Sequence, residues 1–188
     1  MQAGAALSYI RFEMRVWLLL LCACSRQQEP TGTSNSASQP QPSASVAADA
    51  PKEVAWDAPS SWTAGANTSA IRKATYRIPA AGGDPDDTQL TVTTAGGTVD
   101  ANIERWKGQF KYPDLKRSNM DAHGVKITFA EVRGTYLEGT DPKAGRVLLG
   151  AIAETSPDLT FFKMVGPEKT VDAAKTDFFH LVQSIHPK

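Results

Sequence analysis

Beyond residue 24 the chain contains no cysteine, its only two being Cys22 and Cys24 near the start of 188 residues. No disulfide or thiolate metal centre can form in residues 25–188, so any fold there depends on its apolar core. Neither sign of charge dominates, with 20 Lys and Arg against 20 Asp and Glu. A nucleic-acid binder carries a clustered basic surface, which is missing, and no nucleic-acid partner is expected. Histidine is scarce: His123, His180 and His186 are all there are. The last two are six apart, not at the i, i+4 spacing that puts two ligands on one helix face. Zinc would have to gather all three or borrow distant carboxylates, so surface histidines and no metal site are expected. The apolar run ahead of Cys24, Val16 to Ala23, has eight residues, whereas a spanning helix needs about 20. Catalytic frames are lacking too. Ser60-Ser61 stands outside any Gly-x-Ser-x-Gly, and Gly82-Gly83 and Gly96-Gly97 fit neither a P-loop nor a dinucleotide fingerprint. No cofactor and no enzyme are expected, while an active site assembled from distant positions stays open.

What is present begins with that short run. Arg11 and Arg15 precede it and small residues come after it, the layout of a secretory signal peptide with its apolar core of about 7–15 residues. Its end, Leu21-Cys22-Ala23-Cys24, resembles the lipobox of bacterial lipoproteins. The resemblance implies removal of residues 1–23, a diacylglyceryl group on the Cys24 sulfur and a further acyl chain on its freed amine. Cys22, preceded by leucines, is the weaker match. Glu13 interrupts the basic start, and Met1 and Met14 remain alternative starts with the same mature product. Two or more acyl chains, at about 0.8 kcal/mol per buried methylene, give stable attachment to a membrane. Ser25 stands where an inner-membrane retention signal has aspartate, which points to the periplasmic face of the outer membrane in a two-membrane cell.

Residues 25–53 are rich in Ser, Gln, Pro and Ala and hold no aromatic residue. Such a composition cannot bury enough apolar surface to offset chain entropy. Residues 24–53 therefore read as a lipidated cysteine and disordered tether spanning about 30 Å, and residues 54–188 as one globular domain.

Within that domain "SAIRKATYRI" and "TQLTVTTA" read as strands of an antiparallel hairpin, joined by the turn-rich stretch Gly82 to Asp87. Thr98 can cap a helix whose first turn carries Asp100. Val99, Ile103, Trp106 and Phe110 form its buried face, and Pro113 ends it by Tyr112. In "HGVKITFAEVRG" Val125, Ile127 and Phe129 alternate with Lys126, Thr128 and Ala130, which predicts one buried and one wet face. "GRVLLGAIAETS" and "LTFFKMVGP" form a second hairpin. A closing helix starts with Pro167 at its first position and buries Val171, Ala174, Phe178, Leu181, Val182 and Ile185. Strands, helix, strands, helix predict an α+β fold, an antiparallel sheet with two main helices packed against it.

The combination of "APSSW", "IRKATYRI", "NIERWKGQF", "LTFFKMVGP" and "VDAAKTDFFHLVQSI" resembles uncharacterised bacterial exported and lipid-anchored proteins and, through them, the PsbP-like fold. The resemblance, from about Trp56 to Ile185, implies a curved antiparallel sheet sandwiched by helices and says nothing of activity.

The Asp84, Asp86 and Asp87 cluster fails as an EF-hand loop, since Gln89 and Ala95 stand where glycine and glutamate are required. A solvated hairpin loop is expected there. The sequon Asn67 to Ser69 is an accident beside a bacterial lipobox. Trp56 and Trp62 either seal the core or line a binding surface. The stretch Lys111 to Ser118 reads as a loop in which Tyr112, Lys116 and Arg117 could form a contact patch. The reading is a non-catalytic envelope lipoprotein whose partners are the membrane, through its lipid, and another envelope protein. A periplasmic small-ligand-binding domain is the alternative, with an unrecognised hydrolase third.

Overall fold

A computed structural model describes residues 50–188 apart from Thr68, Glu138 and Thr140. The expectations placed on residues 1–49, Cys24 among them, lie outside the described residues.

The elements run β1 (Val54–Ala55), β2 (Thr63–Ala64), β3 (Arg72–Ile78), β4 (Thr88–Ala95), α1 (Val99–Lys107), β5 (Phe110–Ala122), β6 (Val125–Tyr136), β7 (Lys143–Ala153), β8 (Leu159–Pro167), α2 (Glu168–Gln183) and β9 (His186–Pro187). Among the described residues seven strands form one sheet in the order β2-β3-β4-β8-β7-β6-β5, and β1 pairs with β9 in a two-stranded ribbon. Every pairing is antiparallel. The architecture is α+β, as expected, with both predicted hairpins in place.

Alternation along the strands sends apolar side chains to both faces. One face, with Leu90, Val92, Ile127, Phe129, Leu149, Phe162 and Met164, packs under α2 through Val171, Ala174, Phe178, Leu181 and Val182. The other, with Ala130, Val132, Leu148, Ile152 and Phe161, packs under α1 through Ile103 and Trp106. Thr98 caps α1 by accepting a hydrogen bond from Ala101 N–H at 3.2 Å, and Asp100 lies in its first turn. The buried stripe expected of α2 is complete, with Ile185 just past the helix end.

Four expectations are corrected. The stretch Lys111 to Ser118 is not a loop but part of β5, thirteen residues paired with β6. As the outer strand it keeps charged residues and a proline, which suit a solvated edge and hide the strand from pattern reading. Phe110 is accordingly the first residue of β5, and α1 stops at its C-cap Gly108. Thr128 and Ala130 are buried rather than wet, because α1 covers the second face. Pro167 is the N-cap of α2, so the helix begins at Glu168, one residue later than expected.

Candidate functional site

Five charged side chains tie β6 to α2. Glu131, only 8% exposed, accepts from Arg133 Nε at 2.6 Å and from Lys175 Nζ at 2.5 Å, while Arg133 also reaches Glu168 at 2.6 Å and Asp172 at 2.5 Å. Burial alone would raise the Glu131 carboxyl, but the hydrogen bonds from Lys175 and Arg133 outweigh it and hold it below its usual range. The hydrogen bond donated to Asp172 leads in pushing Arg133 up. With every charge answered inside the group, the cluster fastens a helix to a sheet and is not poised for proton transfer.

The aspartates of the first hairpin loop are likewise occupied. Asp84 Oδ2 accepts from Thr170 N–H at 2.7 Å and from its hydroxyl at 2.8 Å, satisfying a donor that the first turn of α2 leaves open. Asp86 pairs with Arg146 at 2.5 Å, and Asp87 accepts from Arg77 Nε at 2.5 Å and from Ala80 N–H at 2.8 Å. The Ala80 N–H and the Arg77 guanidinium hold the Asp87 carboxyl below its usual range. The loop is a structural strap. His123 and His186 face each other with ring centroids 6.3 Å apart, each Nδ1 donating to a backbone carbonyl, of Ile185 and Ser184. Among the described residues no three His, Cys, Asp or Glu side chains gather as a metal site.

The five residues singled out as an interaction surface are not brought together. Trp62 is buried at 7% exposure next to β2, its ring tilted against Tyr76. Trp56 is partly buried, edge-on to Phe162 at 5.1 Å, and donates from Nε1 to the Tyr76 hydroxyl at 3.1 Å. Tyr112, Lys116 and Arg117 belong to β5, at the opposite end of the sheet from β2 and β3. Lys116 is paired with Glu131 in register and Arg117 with Ala130, so the two basic side chains leave on opposite faces. Arg117 is bound at 2.5 Å by Asp100 of α1.

Tyr112 stands apart. It is 81% exposed and adopts φ 53°, a left-handed conformation rare for a non-glycine residue. The register shift between Lys111 and Asp114 marks a bulge there. Opposite it is Gly134, φ 155°, where a Cβ would lie 2.8 Å from the Lys111 carbonyl oxygen. Only glycine lets β6 approach this bend so closely. The Lys111 ammonium lies 5.0 Å from the centre of the tyrosine ring, and the exposed Leu137 donates its N–H to Gln109 at the same end of β5 and β6.

A cleft of about 520 Å³ opens beside Trp56, between the segment Lys52–Trp56, strand β3, the β7–β8 turn and Lys188. Its volume falls in the range of small-molecule sites, about 300–1,000 Å³. Pro51 O accepts from Ser156 N–H and Glu53 O from Lys188 N–H, each at 3.0 Å, so the chain is already fastened to the domain ahead of Val54. Lys73, Tyr76 and Lys188 escaped sequence reasoning because they come from distant segments with no local pattern. Trp56 alone among the lining residues was marked out, by its size.

No family model and no curated protein sequence matches the chain. Among solved structures, a crystal structure of a Pseudomonas aeruginosa protein of unknown function, proposed as a regulator, is similar at a TM-score of 0.50 and 12% identity, covering 68% of this chain and 97% of its own. A solution structure of PsbP from the cyanobacterium Synechocystis sp. PCC 6803 gives a TM-score of 0.47 at 16% identity, covering 73% of this chain and 94% of its own. At such identities the first likeness is one of fold.

Proposed function

We propose that this chain is an envelope lipoprotein, anchored through Cys24, whose domain is a non-catalytic accessory module docking another envelope protein at the β5 edge. The carrying observation is Tyr112, an aromatic side chain 81% exposed at a left-handed bulge on the outer strand. Conformations of this kind cost about 1–3 kcal/mol and gather at sites of function. Tyrosine offers a large amphipathic contact area with few rotatable bonds, which suits a protein interface. An anchor and tether would also concentrate the domain at one membrane surface, where a partner on that surface is met most often. A second reading, a small-ligand-binding domain, draws on the cleft beside Trp56.

The test places a photoreactive amino acid at Tyr112 and, separately, at Thr63 on the opposite edge, and identifies crosslinked proteins in cells by mass spectrometry. One envelope protein captured from position 112 and not from position 63 is the expected outcome. Equal capture from both positions, or none from 112 above an uncrosslinked control, would overturn the docking reading.

A further inference from the structure

In the cleft beside Trp56 the polar side chains left over are mostly donors. An indole Nε1–H can only donate, so in its 3.1 Å contact with Tyr76 the phenol oxygen accepts. The Tyr76 hydroxyl proton then has no acceptor among the described residues, although the side chain lines the cleft. Lys73 and Lys188 approach opposite oxygens of Glu53 at 3.8 and 3.7 Å, beyond the 2.7–2.9 Å of a charge-assisted hydrogen bond. Both ammonium groups therefore retain donors. Lys52, also in the lining, has no ion pair or hydrogen bond among the described residues. The unanswered groups of the lining are thus a phenol O–H and three ammonium groups, all donors, against one carboxylate, that of Asp158.

The threonine hydroxyls of the lining differ. The Thr155 hydroxyl donates to the Asp158 carbonyl, so in its 3.0 Å contact with Thr160 the proton belongs to Thr160. Neither hydroxyl proton is left for a ligand, since Thr155 gives its own to Asp158 and Thr160 gives its own to Thr155. Val54, Ala55, Trp56 and Pro157 supply the apolar part of the lining.

The geometry points to a binding site for a small amphipathic carboxylate. Its anionic group would sit between the Tyr76 hydroxyl and the ammonium groups of Lys73 and Lys188, displacing the loosely held Glu53, and its apolar body would lie against Trp56 and Pro157. A carboxylate accepts several hydrogen bonds at once and meets both charge and direction between these four donors, whereas a neutral amide of the same shape brings no charge and donors of its own to them. The site lies away from Tyr112 and stands whether or not β5 docks a protein.

The test follows the Trp56 indole N–H resonance, whose proton points at Tyr76, while the full chain is titrated with phenylacetate, octanoate and neutral phenylacetamide. Both carboxylates shift the resonance saturably, and phenylacetamide binds about tenfold more weakly or worse. Tyr76→Phe and Lys73→Met each weaken phenylacetate at least roughly threefold, and Glu53→Gln tightens it by removing the competing carboxylate. Lys73 and Glu53 are exposed, so an unchanged melting temperature certifies folding in those two variants. Equal affinity for acid and amide, unaltered binding in both Tyr76→Phe and Lys73→Met, or no response to either carboxylate at millimolar concentration overturns the assignment.

Discussion

At the scale of single residues, the tightest constraint is between Trp106 and Gly150. A Cβ at position 150 would lie 2.3 Å from the indole Cζ3 and 2.8 Å from Cη2, and a rigid ring cannot turn aside as a flexible chain does. Trp106 is 3% exposed and meets Phe161 edge-on at 5.9 Å. Trp106→Ala should cost about 3–5 kcal/mol and Gly150→Ala about 1–3 kcal/mol by overpacking. The double variant should be clearly less destabilised than the sum, since removing the indole vacates the space the new methyl needs. Lys107→Ala, which loses only an exposed contact to Glu104 at 3.0 Å, should cost about 0.5 kcal/mol or less. Denaturation midpoints check all four variants. Glu131 sets a pH dependence. Its carboxyl titrates in the folded protein below the usual value of 4.5, so its stabilisation is fully present above that value and is lost as the pH falls through the folded one. Glu131→Gln should cost about 1–3 kcal/mol at neutral pH and flatten the decline of stability on the acid side. Parallel acid limbs for variant and parent would show that Glu131 is not the group responsible.

At the scale of elements, the bulge in β5 sets stability against display. A left-handed backbone costs an L-residue about 1–2 kcal/mol that glycine avoids. Tyr112→Gly should therefore raise the unfolding free energy by about 1 kcal/mol while abolishing co-purification of the proposed docking partner. Lower stability in that variant would mean that the ring is fastened to the domain rather than offered to a partner. The visibility of each element in the sequence depends on how its surfaces are covered. The α2 stripe from Val171 to Val182 and the β3–β4 and β7–β8 hairpins were legible, because apolar residues recur there with a helix or strand period or crowd between turn residues. β6 was half legible: Val125, Ile127 and Phe129 betrayed one buried face, but nothing local shows that α1 lies over Thr128 and Ala130. β5 was hidden, since an outer strand needs no apolar alternation and Lys111, Asp114, Lys116 and Arg117 read as a loop. The donor cluster of the cleft was illegible for a different reason. Lys52, Lys73, Tyr76 and Lys188 meet only once the β1–β9 ribbon has joined the two ends of the folded segment, and no window of neighbouring residues records that meeting.

At the scale of the whole molecule, attachment to a membrane has three physical sources: clustered basic charge, a spanning segment and a covalent lipid. Taking away residues 1–23 removes Arg11, Arg15 and Glu13, which leaves 20 − 2 = 18 basic against 20 − 1 = 19 acidic side chains. An anionic surface attracts basic residues by about 1 kcal/mol each, but only where they cluster beside it, and a chain of balanced charge gains little. No helix among the described residues is long and apolar enough to cross a membrane. In the proposed lipoprotein, retention would rest on the acyl chains of Cys24. A wash at 1 M salt, where the screening length shrinks to about 3 Å, should leave the protein in the membrane fraction, and detergent should release it. Cys24→Ser should abolish acyl labelling and yield either soluble protein or an uncleaved precursor, while Cys22→Ser should keep both label and location. Release by salt alone would make the attachment electrostatic despite the balanced charge. Labelling that survives Cys24→Ser and disappears in Cys22→Ser would move the lipid to Cys22, lengthening the tether by two residues and leaving the domain unchanged.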